Sequence, residues 1–162
     1  MELARAQEIA AQVVARLAPY CERCEVAGSV RRLKPEVKDI EVVVIPRSRD
    51  IAAFAGIVNE WTAVKGKPTG KYTQRRLPQG IVLDLFMATR DNWGLIYAIR
   101  TGSADYSHRT LAAGWVKAGY KSEGGMLRRQ GKHFTGAQVV LPEERDLFAL
   151  IGVPWVEPEK RT

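Results

Sequence analysis

Two acidic residues at the start of a buried strand constrain the fold of this chain more than any other feature. Asp39 and Glu41 lead directly into the apolar run 42–45, Val-Val-Val-Ile, and such a run is typical of a strand buried inside a sheet. Successive side chains of a strand point to opposite faces, so both carboxylates project from one face, with Cα atoms roughly 7 Å apart. Two acids on one face repel each other unless a cation lies between them, and hard divalent ions prefer oxygen ligands. The sequence therefore predicts a site for a pair of divalent cations.

A turn of small residues precedes this strand. Gly28 and Ser29 follow a short strand expected over residues 24–27, and Arg31 and Arg32 come one residue later. Backbone N–H groups at such a junction bind phosphate, and the arginines add positive charge beside them. Phosphate donors next to a predicted metal site indicate phosphoryl or nucleotidyl transfer. For this stretch alone, the alternative is the solvated edge of a β-hairpin.

A third acidic residue lies in another predicted strand. Asp84 interrupts the apolar run 81–87, and an unpaired carboxylate is costly to bury. Either a buried partner satisfies Asp84, or Asp84 is a third metal ligand that faces Asp39 and Glu41 from a neighbouring strand. We expect the second arrangement.

Net charge indicates a polyanionic partner. The 162 residues include 25 Lys and Arg against 18 Asp and Glu, a formal charge of +7. Acids are absent from residues 61–83 and 124–142, and the basic residues of these stretches are Lys65, Lys67, Lys71, Arg75, Arg76, Arg128, Arg129, Lys132 and His133. Such stretches favour a surface that binds nucleic acid over one that binds a membrane.

No apolar run approaches the roughly 20 residues of a membrane span, and no signal peptide is visible, so we expect an intracellular protein.

The order of elements predicts an α+β protein: a mixed sheet with helices, followed by a small subdomain of helices and a β-hairpin. Expected helices cover residues 2–18, 51–61, 92–100, 105–118 and 143–150. Expected strands cover residues 24–27, 39–45, 62–65, 71–77 and 81–87, and a basic hairpin over residues 123–140 turns at 130–132. The predicted organisation is an N-terminal helix (1–20), a catalytic unit (21–90) and a C-terminal binding unit (91–162).

The cysteines form a single Cys-x-x-Cys pair, Cys21 and Cys24. A closed zinc site needs four ligands, and the histidines, His108 and His133, are remote in sequence. A metal or redox role is one interpretation of the pair. The interpretation we favour is that the two cysteines flank the start of the first strand.

Together these motifs resemble the nucleotidyltransferase signature, Gly-Ser followed by acid-x-acid, and more narrowly the family X DNA polymerases. The C-terminal half adds a Thr-Gly-Ser turn at residues 101–103 and a tail with Gly-Val-Pro-Trp at 152–155 and Pro-Glu-Lys-Arg at 158–161. The resemblance covers about residues 22–161. It is to a minimal family X enzyme, without the N-terminal lyase domain and DNA-clamping motifs of its relatives, and it implies that lyase activity is missing.

The resemblance also implies the roles of particular residues. Asp39, Glu41 and Asp84 would be catalytic ligands of two Mg²⁺ ions, for which Mn²⁺ can substitute, and Asp84 would hold only the ion that activates the primer hydroxyl. The residues implied to bind the nucleotide are Gly28, Ser29, Arg32, Gly102, Ser103, Tyr106 and Ser107. The candidates for contact with DNA are Lys71, Arg75, Arg76, Arg128 and Arg129, and for each of them a solvated surface charge is the alternative.

Three departures from the family pattern change these expectations. Glu41 stands where family X usually has Asp, which shifts the ion. Ile99 and Arg100 replace the Tyr-Phe pair that disfavours ribose, so we expect weak discrimination against ribonucleotides. The helix after Ser103 carries one extra residue, which leaves the arginine that checks the base pair without a counterpart and implies low fidelity.

The sequence therefore predicts a monomeric, magnesium-dependent DNA polymerase that adds dNMP to a primer 3′-hydroxyl and fills short gaps during DNA repair. Its expected partners are primer–template or gapped DNA and a dNTP or NTP, and no membrane. One alternative is another nucleotidyltransferase on the same fold: a template-independent terminal transferase, or one that modifies RNA or protein. A second alternative is a non-enzymatic module that binds nucleic acid, although the presence of all three acids argues against it.

Overall fold

The computed structural model describes residues 1–131 and 136–162, which form two compact units, Met1–Ala88 and Thr89–Thr162. Lys132 and His133, assigned above to the second basic stretch, lie outside the described residues. Among the described residues, no helix is both long and apolar enough to cross a membrane.

The first unit alternates helices and strands. The helices are α1 (Leu3–Leu17), α2 (Gly28–Arg31) and α3 (Ile51–Asn59). The strands are β1 (Cys21–Val26), β2 (Asp39–Pro46), β3 (Thr62–Lys65), β4 (Tyr72–Arg76) and β5 (Val82–Met87). β2 begins at Asp39 as predicted, because the apolar run that follows it is buried in the sheet.

These strands form one mixed sheet in the order β1-β2-β5-β4-β3. β2 and β5 run parallel, whereas the pairs β1–β2, β4–β5 and β3–β4 are antiparallel. The parallel pair requires a crossover, which α3 and the β3–β4 hairpin provide. The predicted α+β class with a mixed sheet is confirmed.

The core of this unit lies on one face of the sheet. α1 and α3 contribute the residues that their helical spacing predicts, among them Ile9 and Phe54, and the sheet contributes the alternate positions Ile40, Val42 and Leu83. Because side chains alternate along a strand, the neighbours of these positions project from the opposite face. That opposite face carries Asp39, Glu41 and Asp84.

β1 begins earlier than predicted. It starts at Cys21, and a shift of register between Cys21 and Arg23 marks a bulge against β2. Both Cys21 and Cys24 are buried and free. The hydrogen bond with Cys24 lowers the pKa of Cys21, and the same bond, with burial, raises the pKa of Cys24. The sequence analysis expected the two cysteines to flank the start of the first strand, whereas in the structure Cys21 is the first residue of β1 and Cys24 lies inside it.

The second unit combines helices with a small sheet. Its helices are α4 (Trp93–Thr101), α5 (Ala104–Tyr106), α6 (Ala113–Lys117) and α7 (Glu144–Ile151). Its strands are β6 (Tyr120–Glu123), β7 (Met126–Arg129) and β8 (Gln138–Val139), in an antiparallel sheet of that order. Leu95, Leu111, Leu127 and Phe148 pack in its core.

The basic hairpin expected over residues 123–140 is represented by β7 and β8, which pair antiparallel, and its predicted turn at 130–132 falls in their connection, where residue 132 lies outside the described residues. The sequence analysis missed a second hairpin: β6 and β7 turn at Gly124 and Gly125, which have φ of 61° and 78°. Two adjacent residues with positive φ form the two-residue turn that matches the twist of an antiparallel pair, and glycine adopts it without strain. The Gly-Gly pair was the signal for this turn.

Residues between α5 and α6 form a π-helix, Ser107–Ala112. The hydrogen bonds of a π-helix join residues i and i+5, so a π-helical turn holds one more residue than an α-helical turn, and such turns occur mostly as bulges inside α-helices. The extra residue inferred after Ser103 is consistent with this geometry.

A buried ion pair fixes the C-terminal tail. The Arg161 side chain is 0% exposed, its Nη1 donates to Glu144 Oε1 at 2.6 Å, and its Nε donates to the Val156 carbonyl at 2.8 Å. The guanidinium lies over the rings of Phe148 and Trp155, with centroid distances of 5.0 and 4.6 Å. The tail is thereby tied to α7 by charge, hydrogen bonds and aromatic contacts together.

Candidate active site

The three predicted carboxylates share one face of the sheet in the first unit. In the parallel pair of β2 and β5, Glu41 lies opposite Asp84, and Asp39 lies opposite Val82. Residues opposite each other on adjacent strands point to the same face, and the strands are about 4.8 Å apart. The structure thus brings Asp84, which the sequence placed on a separate strand, to the face that carries Asp39 and Glu41.

Asp39 lies in an unfavourable environment for a negative charge. Burial raises the pKa of its carboxyl, and the charge of Asp84 raises it further. The backbone N–H of Asp39, Lys38 and Arg32 oppose this shift. Asp39 and Asp84 therefore repel each other across the sheet, and a cation between them would relieve that repulsion.

Arg32 lies beside the same carboxylates. Burial lowers the pKa of its guanidinium, and the negative charges of Glu41 and Asp39 oppose that effect. An arginine keeps its charge in such a setting. The side chain predicted to bind phosphate is therefore next to the predicted metal ligands.

Glu41 reaches back over the Gly-Ser turn. A Cβ added at Gly28 would lie 1.7 Å from Glu41 Oε2 and 2.5 Å from Glu41 Cδ. Gly28 also has φ of 59°, a conformation that glycine adopts without strain. Glycine is thus required here for two reasons: its backbone conformation and the carboxylate above it.

Ser29 presents an unsatisfied hydroxyl at this turn. Its Oγ is buried and has no hydrogen-bond partner within residues 1–131 and 136–162. A buried polar atom without a partner is costly in a folded protein. The hydroxyl is therefore a free donor at the place where the sequence predicts phosphate binding.

Asp84 is held by two residues of β4 that sequence reasoning missed. Its Oδ1 accepts hydrogen bonds from the Tyr72 hydroxyl and from Gln74 Nε2, both at 2.8 Å. Gln74 lies opposite Asp84 in the antiparallel pair of β4 and β5. Alternation along β4 was a usable signal, since it places Tyr72 and Gln74 on the face of Asp84 once the register is known.

No ready metal site is formed by the side chains as they stand. Among the described residues, no three carboxylate, imidazole or thiol groups are arranged to hold an ion. The position of Glu41 over Gly28 and the bonds of Asp84 to β4 are consistent with this. Asp39 and Asp84 nevertheless offer hard oxygen atoms on one face, which is the donor chemistry that Mg²⁺ prefers.

Arg75 requires a correction. The sequence placed it among the DNA contacts, but its side chain is 2% exposed. Its Nη1 donates to the carbonyls of Lys65, Gly66 and Gln74, at 3.0–3.2 Å. Because Arg75 lies opposite Leu83 in the sheet, it points to the helix-covered face. It holds the β3–β4 connection together and is not available to a phosphate.

The other basic candidates of the first unit are accessible. Lys71 and Arg76 are both exposed. Arg76 lies opposite Val82, which places it on the same face of the sheet as the carboxylates. The structure leaves both residues able to meet a phosphate backbone.

Residues of the Thr-Gly-Ser turn mainly support one another. Ser103 Oγ accepts a hydrogen bond from the Tyr106 N–H at 3.0 Å, as an N-cap does. Ser107 Oγ donates to the Ile99 carbonyl at 2.8 Å. A Cβ at Gly102 would lie 2.7 Å from that Oγ and 2.9 Å from the Tyr106 ring. These three contacts explain the residue types without a ligand.

Tyr106 also differs from its expected role. Its ring is 8% exposed and belongs to the core of the second unit, so it does not offer a face to a sugar or a base. Burial raises the pKa of its hydroxyl, and the hydroxyl has no hydrogen-bond partner among the described residues.

The two basic residues of β7 differ in exposure, as Arg75 and Arg76 of β4 do. Arg129 is exposed, whereas Arg128 is partly buried and its Nη1 donates to the Gly136 carbonyl at 2.8 Å. Alternation along β7 accounts for the difference. Arg129 is the more accessible of the two for a nucleic acid.

Residues 97–162 match the family model described as DNA polymerase beta thumb. This match supports a family X polymerase-like fold. It covers less than half of the chain, and its limits lie within the second unit. No curated protein matches the sequence. The match indicates a DNA polymerase-like protein that binds DNA.

Proposed function

We propose that this chain is a family X-like DNA polymerase that adds dNMP to a primer 3′-hydroxyl, with short gaps in DNA as its substrate. Residues 21–90 would form the catalytic palm, and residues 91–162 would bind nucleotide and template. One observation supports this most: Glu41 and Asp84 lie opposite each other on parallel strands, with Asp39 on the same face. The thumb match supports the same function independently.

The carboxylates would hold two Mg²⁺ ions. When bound, these ions would stabilise the charge on the transferring phosphate and activate the primer hydroxyl. Asp39 and Asp84 would supply oxygen ligands from adjacent strands. Glu41 would join them by rotating away from Gly28, a movement that its longer side chain permits.

The Gly-Ser turn would bind the phosphates of the incoming nucleotide. Arg32 would supply positive charge, and its proximity to Glu41 and Asp39 supports that role. Ser29 Oγ would find in a phosphate oxygen the partner that it lacks among the described residues. The departures at Ile99 and Arg100 support weak discrimination against ribonucleotides.

A primer-extension assay tests this function. The protein is incubated with Mg²⁺, a labelled primer and each dNTP separately, with and without a template strand. We expect the templated nucleotide to be added, and we expect Asp84→Asn to abolish addition without weakening the binding of DNA. Asp50→Asn is the matched control, since the Asp50 carboxylate pairs with Arg47 and Arg49, away from the acidic face of the sheet, and its loss should leave extension unchanged.

Two other outcomes would change the proposal. Addition without a template would indicate a terminal transferase. The absence of addition to any DNA end would overturn the proposal and direct the search to RNA and protein acceptors. Gapped and recessed substrates, compared at equal concentration, test the preference for short gaps.

A further inference from the structure

A closed network of hydrogen bonds surrounds one oxygen of Asp84. The Tyr72 hydroxyl and Gln74 Nε2 each lie 2.8 Å from Asp84 Oδ1, and Gln74 Nε2 lies 3.2 Å from the Tyr72 hydroxyl oxygen. An ionised carboxylate only accepts hydrogen bonds, so the tyrosine must donate its single proton to Asp84. The Gln74 NH₂ group then donates to Asp84 Oδ1 at 2.8 Å and also lies 3.2 Å from the Tyr72 hydroxyl oxygen. Both side chains of β4 thereby act as donors toward Asp84.

The surroundings keep this network rigid. The Tyr72 ring stacks on Phe86, with centroids 5.0 Å apart and planes inclined by 14°. Lys65 Nζ lies 5.4 Å from the same ring. Gln74 is held directly opposite Asp84 by the pairing of β4 with β5. Neither donor can move far from Asp84 without disturbing the sheet.

The consequence is that the two oxygens of Asp84 are not equivalent. A carboxylate oxygen has two lone pairs, and the two donors from β4 occupy both on Oδ1. No donor reaches Oδ2 from the residues that the structure describes. Oδ2 is therefore the oxygen that remains open to a ligand.

We infer that Tyr72 and Gln74 are positioning residues, which occupy Oδ1 so that Asp84 presents Oδ2 alone to a divalent cation. This inference rests on the proposed function, in which Asp84 is a metal ligand. Groups that orient a ligating side chain commonly alter metal affinity 10- to 100-fold. A role limited to the stability of the sheet would instead change unfolding and leave metal affinity unaffected.

The binding of Mn²⁺ to the full chain tests the inference. Binding is followed by the loss of the free-ion signal in electron paramagnetic resonance, for the wild type, Tyr72→Phe and Gln74→Met. Tyr72→Phe keeps the ring that stacks on Phe86, and Gln74→Met keeps the length of the side chain. Tyr20→Phe and Gln79→Met are matched controls outside the network. Thermal unfolding of every variant verifies that it is folded.

We expect each network variant to weaken Mn²⁺ binding about 10-fold, and we expect the controls to bind as the wild type does. In the Asp84→Asn background, Tyr72→Phe and Gln74→Met should have no further effect, because the oriented carboxylate is already gone. Unchanged affinity in Tyr72→Phe and Gln74→Met, an equal loss in the Asp84→Asn background, or no binding by the wild type would each overturn the inference.

The primer-extension assay separates this inference from the proposed function. Extension that depends on Asp84, together with metal affinity that is indifferent to Tyr72 and Gln74, would refute the positioning role alone. Metal affinity that depends on both residues, in a protein that extends no primer, would refute the polymerase alone.

Discussion

Replacing Gly28 with alanine tests whether the Glu41 carboxylate occupies the space above the Gly-Ser turn. With φ of 59° at this position, an added Cβ would lie 1.7 Å from Glu41 Oε2 and 3.0 Å from Glu41 Cβ. The variant must therefore strain the backbone and also displace the carboxylate.

The expected loss of stability in Gly28→Ala follows from three contributions to the free energy of unfolding. A left-handed conformation costs an L-residue about 1–2 kcal/mol, and moving Glu41 off its preferred rotamer adds about 0.5–1.5 kcal/mol. The lower entropy of the unfolded alanine chain offsets about 0.4–1 kcal/mol of this. We expect Gly28→Ala to lower the free energy of unfolding by about 2 kcal/mol.

A double-mutant cycle with Glu41→Asp separates the two causes. The shorter side chain withdraws its carboxylate from Gly28, so Gly28→Ala should cost about 1 kcal/mol less in the Glu41→Asp background. Urea denaturation followed by circular dichroism measures all four proteins. Gly56→Ala is the control: Gly56 lies in α3 with nothing within 4 Å of an added Cβ, and this change should stabilise the protein slightly. If Gly28→Ala costs the same in both backgrounds, Glu41 does not lie over the turn.

Three further predictions concern charged side chains. Glu144→Gln should lower the free energy of unfolding by about 3–5 kcal/mol, as measured by chemical denaturation, because it leaves the buried Arg161 guanidinium without its carboxylate. Arg76→Ala should reduce the magnitude of the slope of log DNA affinity against log salt concentration by about 1. Arg75→Ala should lower stability and leave that slope unchanged. Fluorescence anisotropy of labelled DNA at several salt concentrations measures the slope for both variants. Because the pKa of Asp39 is raised in the folded protein above its usual 3.8, stability without divalent cations should fall as the pH rises from 3.8 through the folded-state pKa. Asp39→Asn should remove that fall, as thermal unfolding across this range would reveal.

The acidic face could be predicted because it depends only on short-range pattern. The apolar run after Glu41 fixes a buried strand, and alternation then places Asp39 and Glu41 on one face. The isolated acid in the second run, Asp84, had to lie on a neighbouring strand if it was to have partners. The structure adds that the two strands are parallel and that Glu41 and Asp84 lie directly opposite each other.

The partners of Asp84 could not be predicted because they depend on register. Leu77 and Ile81 close the turn between β4 and β5, with a hydrogen bond of 3.0 Å from the Leu77 N–H to the Ile81 carbonyl. A turn one residue longer would place Arg75 and not Gln74 opposite Asp84. The same alternation could have separated Arg75 from Arg76, since adjacent residues of a strand cannot both face one DNA backbone.

The direction in which a side chain points was the second property that the sequence did not predict. The sequence identifies Glu41 as a candidate ligand but does not indicate that its longer side chain turns toward Gly28. Tyr106 is a similar case: the resemblance implied that it contacts the nucleotide, whereas the packing of the second unit buries its ring. Each of these directions is decided by contacts that form only when distant segments meet.

The charge distribution explains why a divalent cation would suit this face although the chain as a whole is basic. Asp39, Glu41 and Asp84 carry three negative charges there, and Arg32 balances one of them. Each of the three carboxyl groups has a different environment. Burial and the charge of Asp84 raise the pKa of Asp39, and the Glu41 side chain turns toward the Gly-Ser turn. Asp84 accepts hydrogen bonds from neutral donors. Only the last of these environments holds a carboxylate in place with one oxygen open, so we expect a bound cation to depend on Asp84.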